Sequence, residues 1–147
     1  MNSIKSALTS PQLQSAIIAA VISIIVTLLI THRSKRAAQA IRAEKLLEVY
    51  NPIEVFLQTK SLYSYVSRNK ATLERDRPRF GKNLLPLIDE AIGAHFQIFR
   101  SDMNLGNPDP LTPEEKASME KLERIQERLK PALTREIARL RKIVEKG

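Results

Sequence analysis

Leu13-Gln14-Ser15-Ala16-Ile17-Ile18-Ala19-Ala20-Val21-Ile22-Ser23-Ile24-Ile25-Val26-Thr27-Leu28-Leu29-Ile30-Thr31 carries no charge and one strongly polar side chain, Gln14. Eleven of the residues from Leu13 to Ile30 are Leu, Ile or Val. At roughly −0.3 to −0.6 kcal/mol each, these favour the bilayer by several kcal/mol. Ser10 is placed to cap a helix, and Pro11 sits at its first position, where a missing N–H costs nothing. As an α-helix, residues 11–31 run about 31 Å, close to the hydrocarbon thickness of a membrane. A buried core helix of this kind would need a much larger domain around it. A cleaved signal peptide is the other alternative, with Ala38-Gln39-Ala40 as its small-x-small site. His32-Arg33-Ser34-Lys35-Arg36 lies between that site and the apolar run, however, and acts as a stop. The stretch predicts an uncleaved, single-pass transmembrane helix.

Working outward, the N-terminal flank holds Lys5, while the C-terminal flank holds Arg33, Lys35, Arg36, Arg42 and Lys45. Positive charge stays on the cytoplasmic side. Residues 1–10 are therefore expected outside and residues 32–147 in the cytoplasm, with the protein in the cell inner membrane. Within the span, Ser15, Ala19, Ser23, Thr27 and Thr31 recur every four residues. Such a row lets two backbones approach closely and hydroxyls bond across, which predicts a homo-oligomer. The alternative is accidental spacing among residues common in membrane helices.

The chain has 147 residues, one domain's worth, and divides as residues 1–10, the span at 11–31, a basic juxtamembrane helix at 32–50 and a helical domain at 51–147. Asn51-Pro52 is expected to cap or kink the chain, followed by a helix from about Pro52 to Arg68. Residues 69–82 are the least periodic and most charged part. Asn83 then reads as the cap of a helix bearing Leu84, Leu85, Ile88, Ile92, Phe96 and Phe99 at 3–4 spacing. Ser101 to Leu111 is a loop by its Asn, Gly and Pro content. Thr112-Pro113-Glu114-Glu115 is a capping box that starts a last helix to Lys146. Its row Leu122, Ile125, Leu129, Leu133, Ile137, Leu140 and Val144 packs either within the chain or against a neighbour, and Pro131 is expected to kink or divide it. No stretch alternates with period two long enough for a strand. The fold class is all-α, a small helical bundle with a long C-terminal helix.

Lys and Arg number 24 against 16 Asp and Glu, a net charge of +8. The excess lies in residues 33–82, at +7; residues 83–147 are neutral. Its densest group is Arg68, Lys70, Arg75, Arg77, Arg79 and Lys82, leading into Asn83 at a helix N-terminus, where free N–H groups and the helix dipole favour an anion. Gly81 leaves room for close backbone approach. Phe80, Tyr63 and Tyr65 are suited to stacking on a base. A candidate anion or nucleotide site therefore comprises Arg68, Lys70, Arg75, Arg77, Arg79, Phe80, Lys82 and Asn83. The competing readings are a solvated loop and attraction to anionic lipid, at about 1 kcal/mol per charge near the surface.

Catalysis has little to work with. There is no Cys, and the four Gly residues write neither a dinucleotide fingerprint nor a phosphate-cradling loop. His95 falls on an apolar helix face, as a packed core histidine does, and no carboxylate is placed to orient it. Asp89 and Glu90 diverge by about 100° on a helix and so do not form an acid–base pair. Neither enzyme activity, a cofactor, a metal nor duplex nucleic acid is expected.

A single N-terminal span at Leu13–Thr31, a small helical cytoplasmic domain, a self-association stripe and the basic stretch Arg68–Lys82 together resemble the membrane-anchored accessory effectors of type III CRISPR antiviral defence. The resemblance is one of architecture. It implies a cytoplasmic domain that binds a cyclic oligoadenylate and a membrane part that acts on the cell's envelope as an oligomer. The alternative is an anchored interaction module that recruits a protein partner on the Leu122–Val144 row, with the basic patch serving lipid attraction. A pore-forming protein without a regulator is a third reading, and it needs less cytoplasmic domain than this chain has.

Overall fold

The computed structural model describes residues 10–102 and 111–147, with side chains of 99–102 excepted. Among these residues there are helices α1 (Pro11–Thr59), α2 (Leu62–Asp76), α3 (Leu85–Asp102) and α4 (Pro113–Lys146), a 3₁₀ turn over Arg77–Arg79, and no strand. The expected loop at Ser101–Leu111 falls largely outside the described residues. So does the segment before Ser10.

Helix α1 begins as the sequence predicts: the Leu13 amide donates to Ser10 Oγ at 3.3 Å, with Pro11 in the first turn. It then runs for 49 residues, about 73 Å, without a break. Its first part is exposed throughout, and this is the one helix among the described residues long and apolar enough to cross a membrane. The expected break at Asn51-Pro52 does not occur. Pro52 faces solvent, where the helix loses only the bond to the Glu48 carbonyl, while Tyr50, Ile53 and Leu57 are buried on the opposite face. Burying such side chains contributes roughly 1.5–3 kcal/mol each, enough to outweigh the ~3 kcal/mol proline penalty. The chain turns instead at Lys60-Ser61. Ser61 Oγ accepts from the Ser64 amide at 3.2 Å, and the Leu62 amide donates to Gln126 Oε1 of α4 at 2.6 Å.

The second half of α1, together with α2, α3 and α4, forms one bundle with α4 antiparallel to α1. Leu122, Ile125, Leu129, Leu133, Ile137 and Leu140 are all at most 2% exposed. The α4 row is therefore buried inside its own chain, and it is not the partner surface that one reading made of it. α4 starts with both bonds of the predicted capping box (Glu115 amide to Thr112 Oγ1, Thr112 amide to Glu115 Oε2) and is one helix through Pro131.

Two local expectations change. Residues 69–76 are helical, not loop. Asn69 leaves helical geometry (φ −123°, ψ 18°) and its side chain donates to the Tyr65 carbonyl, after which Leu73 and Asp76 turn back into the core. On α3 the buried face is Leu84, Leu87, Ile88, Ala91, Ala94, His95 and Ile98. Phe96 is 48% exposed, because the face that α3 buries is centred on Ala91, Ala94 and Ile98. Ile98→Ala is accordingly expected to cost about 2–5 kcal/mol and Phe96→Ala at most about 1 kcal/mol, measured by urea unfolding of the full chain in detergent.

Candidate anion-binding surface

The basic segment enters a corner of the bundle that Tyr50 builds. The Tyr50 ring stacks on Phe80, with centroids 5.7 Å apart and planes at 13°. Its hydroxyl accepts from the Gly81 amide at 2.9 Å and donates to the Arg79 carbonyl at 3.2 Å. Burial raises the Tyr50 pKa, against a smaller lowering by the Gly81 bond, so the phenol stays neutral and keeps its donor. The Gly81 carbonyl then accepts from both the Leu84 and Leu85 amides and opens α3. Asn83 lies inside that first turn and does not cap it. Gly81 has no positive φ, and a Cβ there would meet the Tyr50 hydroxyl oxygen only at ordinary contact distance, 3.8 Å. Its neighbour is thus the phenol, where the sequence suggested a ligand.

The predicted cations are close together, but most already face a carboxylate. Arg75 grips Asp76 with Nε and Nη2, both at 3.2 Å, and Arg79 Nη1 stands 3.7 Å from the same carboxylate. Arg77 holds Asp89 in the same two-pronged way, at 2.9 and 2.8 Å. Lys70 lies 3.9 Å from Glu74 and 5.2 Å above the Phe96 ring. Arg68, Lys82 and Asn83 are exposed. The aromatics differ from expectation more sharply. Phe80 and Tyr65 are buried, Tyr65 edge-on to Phe56 at 5.1 Å, and half-buried Tyr63 lies 5.1 Å from the buried His95 ring. All three serve packing, so none is presented for stacking on a base. His95 sits in the core, as its helix position predicts.

A neighbouring groove of about 680 Å³ lies between the start of α3 and the middle of α4. Leu87 and Ala132 contribute apolar surface; Asn83 lies on the α3 side, and Arg128, Arg135 and Arg139 come from α4. Glu127 and Glu136 also border it. Glu136 holds Arg139 at 2.6 Å, the pair its spacing predicts, and Arg135 Nε donates to the Pro131 carbonyl at 3.3 Å. Arg128 and Arg135 are exposed. From the sequence, Arg139 reads only as the helix-spaced partner of Glu136, and nothing local singles out Arg128 or Arg135. Their 7- and 4-residue steps mark one helix face, but only the packing of α3 on α4 shows that Asn83 faces it. Tyr50 was similarly read as one more apolar position.

In the apolar half of α1, Thr27 and Thr31 donate to the Ser23 and Thr27 carbonyls, each at 2.8 Å, and Ser15 to Gln12 at 3.0 Å. The hydroxyls of Ser15, Thr27 and Thr31 in the small-residue row thus bond within their own helix.

Tyr50→Phe keeps the ring stacking but strips the Gly81 amide of its acceptor. A loss of about 1–3 kcal/mol is expected in urea unfolding. The arginine pairs also set an acid limit. Hydrogen bonds from Arg75 hold the Asp76 carboxyl below its usual 3.8, and those from Arg77 do the same for Asp89. A lowered carboxylate pKa adds stability above the ordinary value, and that stability is lost as pH falls through the lowered one. Unfolding midpoints measured at decreasing pH should drop below about pH 4, and less steeply in Asp76→Asn and Asp89→Asn.

No protein-family model, no curated protein and no solved structure matches this chain.

Proposed function

We propose that this chain is a single-pass membrane protein with residues 1–10 outside and 32–147 in the cytoplasm. In this reading its bundle is a receptor for a phosphate-bearing ligand, and it works as a homo-oligomer. The observation that carries the receptor reading is the groove, which three arginines of α4 line together with Asn83, Leu87 and Ala132, against the two carboxylates of Glu127 and Glu136. Guanidinium groups suit phosphate because they offer paired N–H donors in a fixed plane. The ligand that the architectural resemblance implies is a cyclic oligoadenylate. Its ring repeats one phosphate per nucleotide, so a symmetric assembly offers the same arginines to each.

The route to the membrane is short in this reading. A phosphate that draws Arg139 from Glu136, or shifts the 79–83 segment, acts on Tyr50, which belongs to the same helix as Ser15, Ala19, Ser23, Thr27 and Thr31. Ligand then changes the span only if it binds one assembly more tightly than another.

The ion pairing of Arg75, Arg77 and Arg79 favours a second reading, an anchored interaction module without a small ligand. With the α4 row buried, its partner would use another face, such as the outer side of α1 with exposed Ile41 and Val55.

Calorimetry of the full chain in detergent, with cyclic and linear oligoadenylates at several salt concentrations, separates the two. The receptor reading expects ring-size-selective binding at a fixed ratio, lost in Arg128→Glu/Arg135→Glu with the unfolding midpoint unchanged. Absence of binding, or binding indifferent to that double substitution, overturns it.

A further inference from the structure

The antiparallel seam gathers charge in a way that no stretch of the sequence displays. Helix α4 runs back along α1 until Gly147 lies on Ala40, so close that a side chain at 147 would run into the Ala40 methyl. Arg36 and Gln39 of α1 and Ile143 and Lys146 of α4 border a common cleft of about 280 Å³. The last turns of α4 therefore stand beside the first turns of α1 beyond the apolar run. Residues 32–45 bring Arg33, Lys35, Arg36, Arg42 and Lys45 against Glu44. Residues 141–147 add Arg141, Lys142 and Lys146 against Glu145. This end of the bundle carries a net +6, whereas residues 46–140 hold fifteen Lys and Arg against fourteen Asp and Glu, a net of +1. All eight cations at this end are exposed, although the Arg141 guanidinium turns back to Asn51 Oδ1 at 3.5 Å, so the surface rests on the other seven. The ion pairs among the described residues lie elsewhere, at Lys70, Arg75, Arg77, Arg79 and Arg139.

We propose that this end, built jointly by α1 and the C-terminal turns of α4, is a docking surface for the anionic phospholipid headgroups of the bilayer. The inference rests on reading residues 13–31 as a membrane span. Ala40 lies nine positions beyond Thr31, about 13 Å of helix rise, and the headgroup layer extends roughly 5–7 Å past the hydrocarbon. Arg33, Lys35 and Arg36 fall within or just below that layer. On α1 the side chains lean toward the helix N-terminus, which here is toward the membrane, whereas those of antiparallel α4 lean the other way and reach the surface only from its last turn. Lys146, beside Ala40, follows within about one further screening length, roughly 8 Å at physiological salt; Arg42 lies slightly beyond it and Lys45 about two lengths below the layer. Attraction there is weaker than at the surface, but the charges are fixed on two packed helices. A bound surface thus holds the whole bundle, where an isolated juxtamembrane helix would hold only itself.

The chain has no cysteine, so Glu145→Cys offers a single attachment point for a nitroxide at an exposed position. The full chain is placed in nanodiscs of phosphatidylcholine alone or of phosphatidylcholine with phosphatidylglycerol, and the label's accessibility to a water-soluble relaxation agent is measured. The expected result is lower accessibility in the phosphatidylglycerol discs. The difference disappears at high salt and in R141E/K142E/K146E, whose altered residues are exposed and outside every ion pair above. Inorganic phosphate added to phosphatidylcholine discs should leave the label unchanged; an equal loss of accessibility there overturns a bilayer surface in favour of a free anion. Equal accessibility in the two disc types, or a difference that survives the triple substitution and K142Q/K146Q alike, also overturns the proposal. A chain that enters neither disc refutes the span reading and this surface with it, whereas entry with equal accessibility refutes the surface alone.

Discussion

The seam between α1 and α4 is the contact on which the rest of the molecule depends. From Leu62 against Gln126 at one end to Ala40 against Gly147 at the other, α4 supplies the apolar face that the second half of α1 needs. Without it, Tyr50, Ile53 and Leu57 would be as exposed as Ile17 to Ile30, and the bundle would have no reason to form on this helix. The same seam explains why Pro52 is tolerated. A proline breaks one hydrogen bond on the solvent side, while the packed side keeps the helix straight enough to continue.

One consequence is that an exposed apolar half and a packed half share a single helix. Residues 13–31 of α1 are exposed among the described residues, whereas Ala43, Tyr50, Ile53 and Leu57 are buried, with Leu46, Leu47 and Phe56 half-buried beside them. No turn separates the halves, so any rotation or tilt of one is carried to the other. Tyr50 extends this coupling to the basic segment, because its hydroxyl ties the backbone at Arg79 and Gly81 to α1.

Much of the secondary structure was legible in the sequence, since caps and periodicity are local. Ser10-Pro11 and the Thr112–Glu115 box start their helices as read, and the α4 row is buried position for position from Leu122 to Leu140. The boundary at Asn51-Pro52 was misread because local propensity disfavours helix there and packing of Tyr50, Ile53 and Leu57 overrides it. Residues 70–76 were misread for a different reason: Ala71, Leu73, Glu74 and Arg75 favour helix, but in so charged a stretch only the burial of Leu73 and Asp76 marks its inward face. Phe96 was misread because the buried face of α3 is centred on small Ala91 and Ala94, and not on its largest side chain.

Sequence alone determined the helix class, the extent of the apolar segment, and the location of positive charge in terms of chain position. Those properties depend on residues within a few turns of one another. Tertiary structure decided which charges are free. Asp89, twelve positions from Arg77, closes on it, and Asp76 takes both Arg75 and Arg79, so the densest basic stretch is largely neutralised. It also brought Lys146 back beside Arg36 of α1, about a hundred residues away in the chain. Electrostatics acts through distance in space, and only the fold of α4 onto α1 sets that distance.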